Sequence, residues 1–168
     1  VALLGDVERL DITDTDEVRR IIGDASPDVV IHAAAYTDVD GCEKNRELAH
    51  KVNAIGTHQV ARAAEKSGAK MVYISTDYVF SGRKRSPYAE TDPPHPLNVY
   101  GQSKWEGEQF VEQACSRYLV LRTSWLYGLA ELLRDAPHPP FETAAALVTF
   151  LLVGKYLEAR AKHRATDA

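Results

Sequence analysis

Residues 28–31, Asp28-Val-Val-Ile31, and residues 71–74, Met71-Val-Tyr-Ile74, decide the fold. Each is a short run dominated by apolar and β-branched side chains, without polar alternation. That is how a strand buried on both faces reads. Pro27 precedes the first run. Between the two, Glu47–Lys66 repeats apolar residues at Leu48, Val52, Ile55, Val60 and Ala64 and stops before Gly68, which predicts a helix. Strand, helix and strand in that order imply a βαβ crossover and parallel pairing.

The same alternation continues in both directions. Val1–Leu4 reads as the end of a strand. Asp14-Thr-Asp-Glu17 offers an N-cap with an acidic residue three places on, the pattern of a capping box. Val18, Ile21 and Ile22 give the following helix its apolar face, and Gly23 is expected to end it. Ser81–Asn98, rich in Pro, Ser, Lys and Arg, reads as a long loop. Tyr100–Ala114 reads as a helix and Tyr118-Leu-Val-Leu121 as a strand. The expected fold is α/β, a Rossmann-like doubly wound parallel sheet with helices on both faces. Ligands of such sheets sit outside the carboxyl ends of the strands. Ala33–Asp40, Ser75–Phe80 and Thr123–Gly128 fall there.

The character changes at Leu129. Residues 129–140 carry three prolines and read as a linker. Phe141–Leu157 is apolar with polar interruptions, and Glu158–Ala168 is a charged helical tail. Three units are therefore expected: 1–128, the linker 129–140, and an apolar-then-charged helix over 141–168. The apolar stretch is shorter than the roughly 20 residues of a spanning helix, so a membrane is not an expected partner.

Composition narrows the function. A net charge of −4 leaves no basic face for a phosphate backbone, so nucleic acid is not expected as a partner. The two cysteines, Cys42 and Cys115, are not spaced as a CxxC pair, which points to a reducing, cytoplasmic setting. The six histidines show no HxxxH or HExxH spacing, so no metal is expected. The chain opens on Val1 inside an apparent strand, without the charged and apolar regions of a signal peptide, and is expected to be a fragment.

Tyr100-Gly-Gln-Ser-Lys104 carries the chemistry. A Tyr and a Lys four apart lie on one face of a helix, one turn from each other. A free phenol has a pKa of about 10, and a nearby ammonium lowers it. Ketone reduction needs a proton for the oxygen that becomes an alkoxide. Tyr100 would donate it, and Lys104 would tune Tyr100 and hold the ribose of a nicotinamide. Alone the spacing is weak, because a surface Tyr stacked on a Lys stem recurs by chance. Thr76, at the end of a buried strand, adds a hydroxyl for the substrate carbonyl.

A set of longer runs makes the pattern specific. They are His32-Ala-Ala-Ala-Tyr-Thr-Asp-Val-Asp40, Val52-Asn-Ala-Ile-Gly56, Ile74-Ser-Thr-Asp-Tyr-Val-Phe-Ser-Gly82, Tyr88-Ala-Glu-Thr-Asp-Pro93, Pro96-Leu-Asn-Val-Tyr-Gly-Gln-Ser-Lys104-Trp-Glu-Gly-Glu108 and Leu121-Arg-Thr-Ser-Trp-Leu-Tyr-Gly128. In order and spacing they resemble the dTDP-4-dehydrorhamnose reductases, extended short-chain dehydrogenases/reductases, over about three quarters of the chain. The resemblance implies Thr76, Tyr100 and Lys104 as catalytic residues and NADP or NAD as cofactor. It implies that Asp11 and Ile12 flank the adenine and that Ala33, Ala34 and Ala35 pack along the cofactor, with Tyr100 and Lys104 also touching it. By the same resemblance, Thr76 and Asp77 are expected to face a dTDP-sugar substrate. A homodimer is left open.

Other residues weigh less. Asp6 could accept from a ribose hydroxyl or be a solvated turn residue. Asn53 is expected to tie backbone together, Trp125 and Tyr127 to pack in the core, and Arg83, Lys84, Arg85 and His95 to lie in a solvated loop. The resembling family begins with a strand and a Gly-rich turn and carries a C-terminal sugar-nucleotide region. Neither is recognised here, so the expected sheet is partial and its activity impaired. Residues 141–168 are similar instead to a membrane helix and following segment of heavy-metal P-type ATPases, without that family's CPC or DKTGT motifs. Two alternatives to the reductase stand beside it. One is a non-catalytic nucleotide-binding subunit like the beta subunit of methionine adenosyltransferase. The other is an inactive, chimeric or membrane-anchored relic.

Overall fold

The computed structural model describes residues 10–124. Three strands, β1 (Val29–His32), β2 (Lys70–Thr76) and β3 (Tyr118–Thr123), form a parallel sheet in the order β1-β2-β3. Val29 lies opposite Lys70, and Met71 opposite Tyr118. Of the expected strands, the three within the described residues are present: β1 is shifted by one residue, β2 gains one residue before and two after the expected run, and β3 gains two at its end.

The first helix, α1 (Thr15–Ala25), begins as its cap predicts: the Asp14 carboxylate accepts from the N–H groups of Asp16 and Glu17. The reciprocal half of the capping box does not form. Glu17 accepts instead from the Asp11 N–H at 3.0 Å, while the Asp14 N–H goes to the Asp11 carbonyl. The helix also runs past Gly23. It ends at Ala25, where Ser26 takes a left-handed conformation (φ 40°) and returns its N–H to the Ile22 carbonyl.

A short helix, α2 (Val39–Lys44), follows β1. The expected helix over 47–66 is α3 (Arg46–His50) and α4 (Thr57–Lys66), joined by a π-helical turn at Lys51–Gly56. A π turn holds more residues than an α turn, so the 3.6-residue period breaks there. Leu48, read as part of the apolar face, is accordingly 46% exposed, while Val60 and Ala64 beyond the turn are buried. The last helix, α5 (Val99–Ala114), is capped by Asn98, which accepts from the Gly101 N–H at 2.7 Å.

Along β2, Met71, Tyr73 and Ser75 are buried and Val72 and Ile74 only partly so. The first three face α4 and α5, whose Val60, Ala64 and Val111 join Met71, Tyr73, Cys115 and the α1 residues Val18 and Ile22 in one core. Among the described residues no helix packs on the other face, and Leu119 there is 43% exposed. Two glycines set how closely α5 approaches. A Cβ on Gly107 would lie 2.6 Å from the Asn53 carbonyl oxygen and from Tyr73 Oη. A Cβ on Gly101 would collide with the Tyr78 carbonyl oxygen.

The Val1–Leu4 strand, Asp6, Trp125, Tyr127, the linker 129–140 and the helix expected over 141–168 lie outside the described residues. Among the described residues, no helix is long and apolar enough to cross a membrane.

Candidate active site

The carboxyl end of β2 brings two hydroxyls together. Thr76 is the last residue of the strand and is buried. Its hydroxyl donates to Asp77 Oδ1 and accepts from the Tyr78 N–H, each at 3.2 Å, opening a 3₁₀ turn over Asp77–Val79. The close fit of Gly101 under the Tyr78 carbonyl seats the first turn of α5 on that turn. Tyr100 therefore stands beside Tyr78, ring to ring at 5.6 Å edge-on, with the Thr76 side chain near enough to act on its phenol. Burial pushes the Tyr100 phenol up to about 12, the Thr76 side chain pulls it partly back, and Cys42 and Asp77 nearby add to the rise. Asp77 itself is exposed.

Lys104 lies one turn further along α5 and is 2% exposed. Its ammonium donates to the Ile74 carbonyl at 2.8 Å and sits 4.1 Å from the centre of the Tyr73 ring. Burial pulls Lys104 down to about 7, with Glu108 acting against that. The Lys104 ammonium is turned toward the Ile74 carbonyl. The Tyr100 phenol rises, burial being the largest cause.

Buried polar residues frame this pair. Asn53, in the π turn, accepts from the Tyr36 N–H at 2.7 Å and donates to the Tyr36 carbonyl and to Ser103 Oγ, both at 3.0 Å. It ties the loop after β1 to α5, the backbone role expected for it. Thr57 donates its hydroxyl to the Asn53 carbonyl at 2.7 Å, so His32 Nε2, 3.0 Å from that hydroxyl, must be the donor between them. His32 stacks on Tyr73 at 5.4 Å and is neutral, since burial first and the Lys104 charge second hold it down at about 3.

A second cluster escaped the sequence reading. Glu108, 6% exposed, accepts from Ser75 Oγ at 2.5 Å. It also takes a forked pair of bonds from Arg122 on β3, Nε at 3.0 Å and Nη2 at 2.7 Å. Arg122 in turn lies 4.9 Å over the Phe80 ring. The available signal was the four-residue step from Lys104 to Glu108, which repeats the step from Tyr100 to Lys104.

The remaining candidates sit at the mouth of the sheet. Ala33, Ala34 and Ala35 follow β1, with Ala34 exposed and its neighbours partly so. Asp11 is exposed, and hydrogen bonds from Thr13 hold its carboxyl below the usual range. Ile12 is different: it is 8% exposed and packs in the core against Gly56. Lys84 pairs with Asp92 at 2.5 Å in the solvated loop, and the His95 N–H goes to the Val79 carbonyl. Among the described residues no His, Cys, Asp or Glu cluster could hold a metal.

A parallel sheet with helices, and hydroxyls gathered at its carboxyl end, defines the Rossmann-like α/β class. Within that class the chain belongs to the RmlD substrate binding domain family, whose model matches residues 1–133. It is 46% identical over 123 residues to a dTDP-4-dehydrorhamnose reductase of Aggregatibacter actinomycetemcomitans, covering 73% of this chain and 42% of that one. It is 42% identical over 119 residues to the spore coat polysaccharide biosynthesis protein SpsK of Bacillus subtilis, covering 71% and 42%. Among solved structures, the dTDP-4-dehydrorhamnose reductase of Bacillus anthracis in complex with NADP superposes with a TM-score of 0.70 at 51% identity, covering 71% of this chain and 42% of that one. The Bordetella bronchiseptica enzyme WbmG in complex with NAD and UDP superposes with a TM-score of 0.61 at 28% identity, covering 69% and 36%. The chain thus spans about two-fifths of the length of the curated relatives it matches.

Proposed function

We propose that this chain carries the proton-transfer centre of a nicotinamide-dependent sugar-nucleotide reductase. Its substrate is dTDP-4-dehydro-6-deoxy-L-mannose, whose 4-keto group is reduced to give dTDP-L-rhamnose. One observation carries the reading: Thr76 ends β2 and the Tyr100 phenol lies near its side chain at the start of α5, with Lys104 one helical turn behind.

NADPH or NADH, when bound, supplies hydride to the carbonyl carbon. The residues present fit such a group. Ala33, Ala34 and Ala35 project nothing beyond Cβ where β1 ends, which lets a ligand approach the backbone. Asp11, ionised and exposed, accepts from an exocyclic amine beside the Ile12 main chain. Tyr100 is protonated at neutral pH, the state a proton donor needs, and gives its proton to the substrate oxygen as negative charge develops there. Thr76 hydrogen-bonds the same oxygen and orients it. Asp77, exposed next to Thr76, faces the sugar hydroxyls.

A second reading is a non-catalytic nucleotide-binding subunit. It draws support from Lys104, which spends its hydrogen bond on Ile74 rather than on Tyr100. One experiment separates the two. NADPH oxidation is followed with the dTDP-4-keto sugar for the chain itself and for a Bacillus anthracis reductase in which residues 10–124 replace the matching segment. Turnover that Tyr100→Phe removes supports the reductase. Nucleotide binding without turnover in the replaced enzyme supports the subunit and refutes the reductase.

A further inference from the structure

Glu108 has no part in the proton transfer proposed above, yet a carboxylate this buried needs a reason. Three elements converge on it. Ser75 of β2 donates to one oxygen at 2.5 Å, and Arg122 of β3 forks onto both. Glu108 lies one turn beyond Lys104 on the same face of α5. The last residues of β2 are pinned in succession: Ile74 by Lys104, Ser75 by Glu108, and the Ser75 carbonyl by the Thr123 hydroxyl at 3.2 Å. Thr76 is the next residue along.

We propose that Glu108 is a positioning residue: clamped by Ser75 and Arg122, it supplies the negative charge that keeps the buried Lys104 an ammonium and fixes the end of β2 that presents Thr76 to Tyr100. The catalytic part of this rests on the reductase reading; the electrostatic part does not. The groups facing Lys104 leave Glu108 as its counter-charge. From β1 comes His32, held neutral. From β2 comes Tyr73, whose phenol is pushed up by burial and stays protonated. From α5 itself come Tyr100, also protonated at neutral pH, and Glu108. The π turn contributes Asn53 and α4 contributes Thr57, neither of which titrates. Arg122 on β3 is spent on Glu108. Burial acts to neutralise Lys104, and Glu108 is the group that opposes it.

The test titrates Lys104 by NMR of lysine-labelled protein, with its resonance assigned through Lys104→Arg. Glu108→Gln keeps the shape and removes the charge, leaving Arg122 uncompensated. The Lys104 midpoint should fall by about one pH unit, tenfold in the ammonium equilibrium. Glu108→Asp, which keeps the charge, should hold the midpoint nearer wild type. Should Glu108→Gln fail to fold, Arg122→Met carries the test with the opposite sign, since it frees Glu108 and raises the midpoint. A role in packing alone lowers stability and leaves the midpoint unmoved, and that result overturns the proposal. NADPH oxidation in the same proteins keeps the two claims apart. A shifted midpoint, with nucleotide binding but no turnover in the replaced Bacillus anthracis enzyme, sinks the reductase reading and leaves Glu108 standing. Turnover with an unmoved midpoint does the reverse.

Discussion

Asn53→Ala is the sharpest probe of how the site is held. The side chain is fully buried and makes three hydrogen bonds, one from the Tyr36 N–H, one to the Tyr36 carbonyl and one to Ser103 Oγ. Truncation removes all three, strands the Tyr36 N–H and leaves the Tyr36 carbonyl only the Cys42 thiol at 3.6 Å, while Ser103 keeps its bond to the Tyr100 carbonyl at 2.9 Å. At roughly 1 kcal/mol per bond the loss is about 3 kcal/mol. With a urea dependence of about 2 kcal/mol per molar, the midpoint drops by roughly 1.5 M. Far-UV circular dichroism in urea reads this directly. Asn53→Asp gives an internal check, because its carboxylate opposes the Tyr36 carbonyl when ionised and can donate to it when protonated. Its deficit should therefore shrink on acidification. An Asn53→Ala midpoint within about 0.3 M of wild type would mean that the loop after β1 is held by something other than this amide.

Three further outcomes follow from the same geometry. Gly101→Ala puts a methyl against the Tyr78 carbonyl, a backbone atom that cannot swing away, and should cost about 1–3 kcal/mol in thermal or urea unfolding; an unchanged melting temperature contradicts the close seating of α5. His32 is held down at about 3, whereas an unfolded histidine titrates near 6.5. The unfolded chain therefore binds the extra proton first, so this contribution to stability is complete above about pH 6.5 and declines as pH falls toward the folded value, by about 1.4 kcal/mol per unit. Urea midpoints at pH 6.5 and 5 should differ accordingly, and His32→Asn should flatten that slope. Lys104, lowered to about 7 against about 10.4 when unfolded, gives stability that is complete above the unfolded value and falls as pH drops toward 7. Lys104→Met should consequently gain on the order of 1–3 kcal/mol at neutral pH, even after losing the Ile74 bond, while abolishing turnover; a less stable variant refutes this.

The strands were legible because buried parallel strands are continuous apolar runs, and Val29–Ile31 and Met71–Ile74 have no competing period. Their extra residues, such as Ser75 and Thr76, are polar and were hidden from that signal. The helix over 47–66 was legible, but its π turn was not. The residue that fastens the turn, Asn53, is bound to Tyr36, 17 residues before it, and to Ser103, 50 residues after it. The Asp14 cap is a local bond and was readable; the partner of Glu17 depended on the preceding turn at Asp11 and was not. In the site, the four-residue spacing of Tyr100 and Lys104 was visible. The direction of the Lys104 ammonium was set by a carbonyl 30 residues away in sequence. Burial likewise reversed the expected shift of Tyr100, since proximity along a helix says nothing of which neighbours desolvate a group.

Placing Lys104 in this interior is costly, and the form of the cost says what the surrounding residues are for. A lysine chosen for packing alone would be better as leucine or methionine, because an ammonium loses most of its hydration when buried. The chain surrounds it with polar groups that are themselves expensive to bury: Glu108 needs Arg122 and Ser75, and Asn53 needs Tyr36 and Ser103. Each addition is favourable only if the others are present, so the set holds one geometry and tolerates few partial ones. The bonds run between β2, β3, α5 and the π turn, which are the elements that set where Thr76 and Tyr100 meet. A rigid frame of this kind is the structural requirement for proton transfer, where an error of about 1 Å in the donor costs roughly 100-fold in rate.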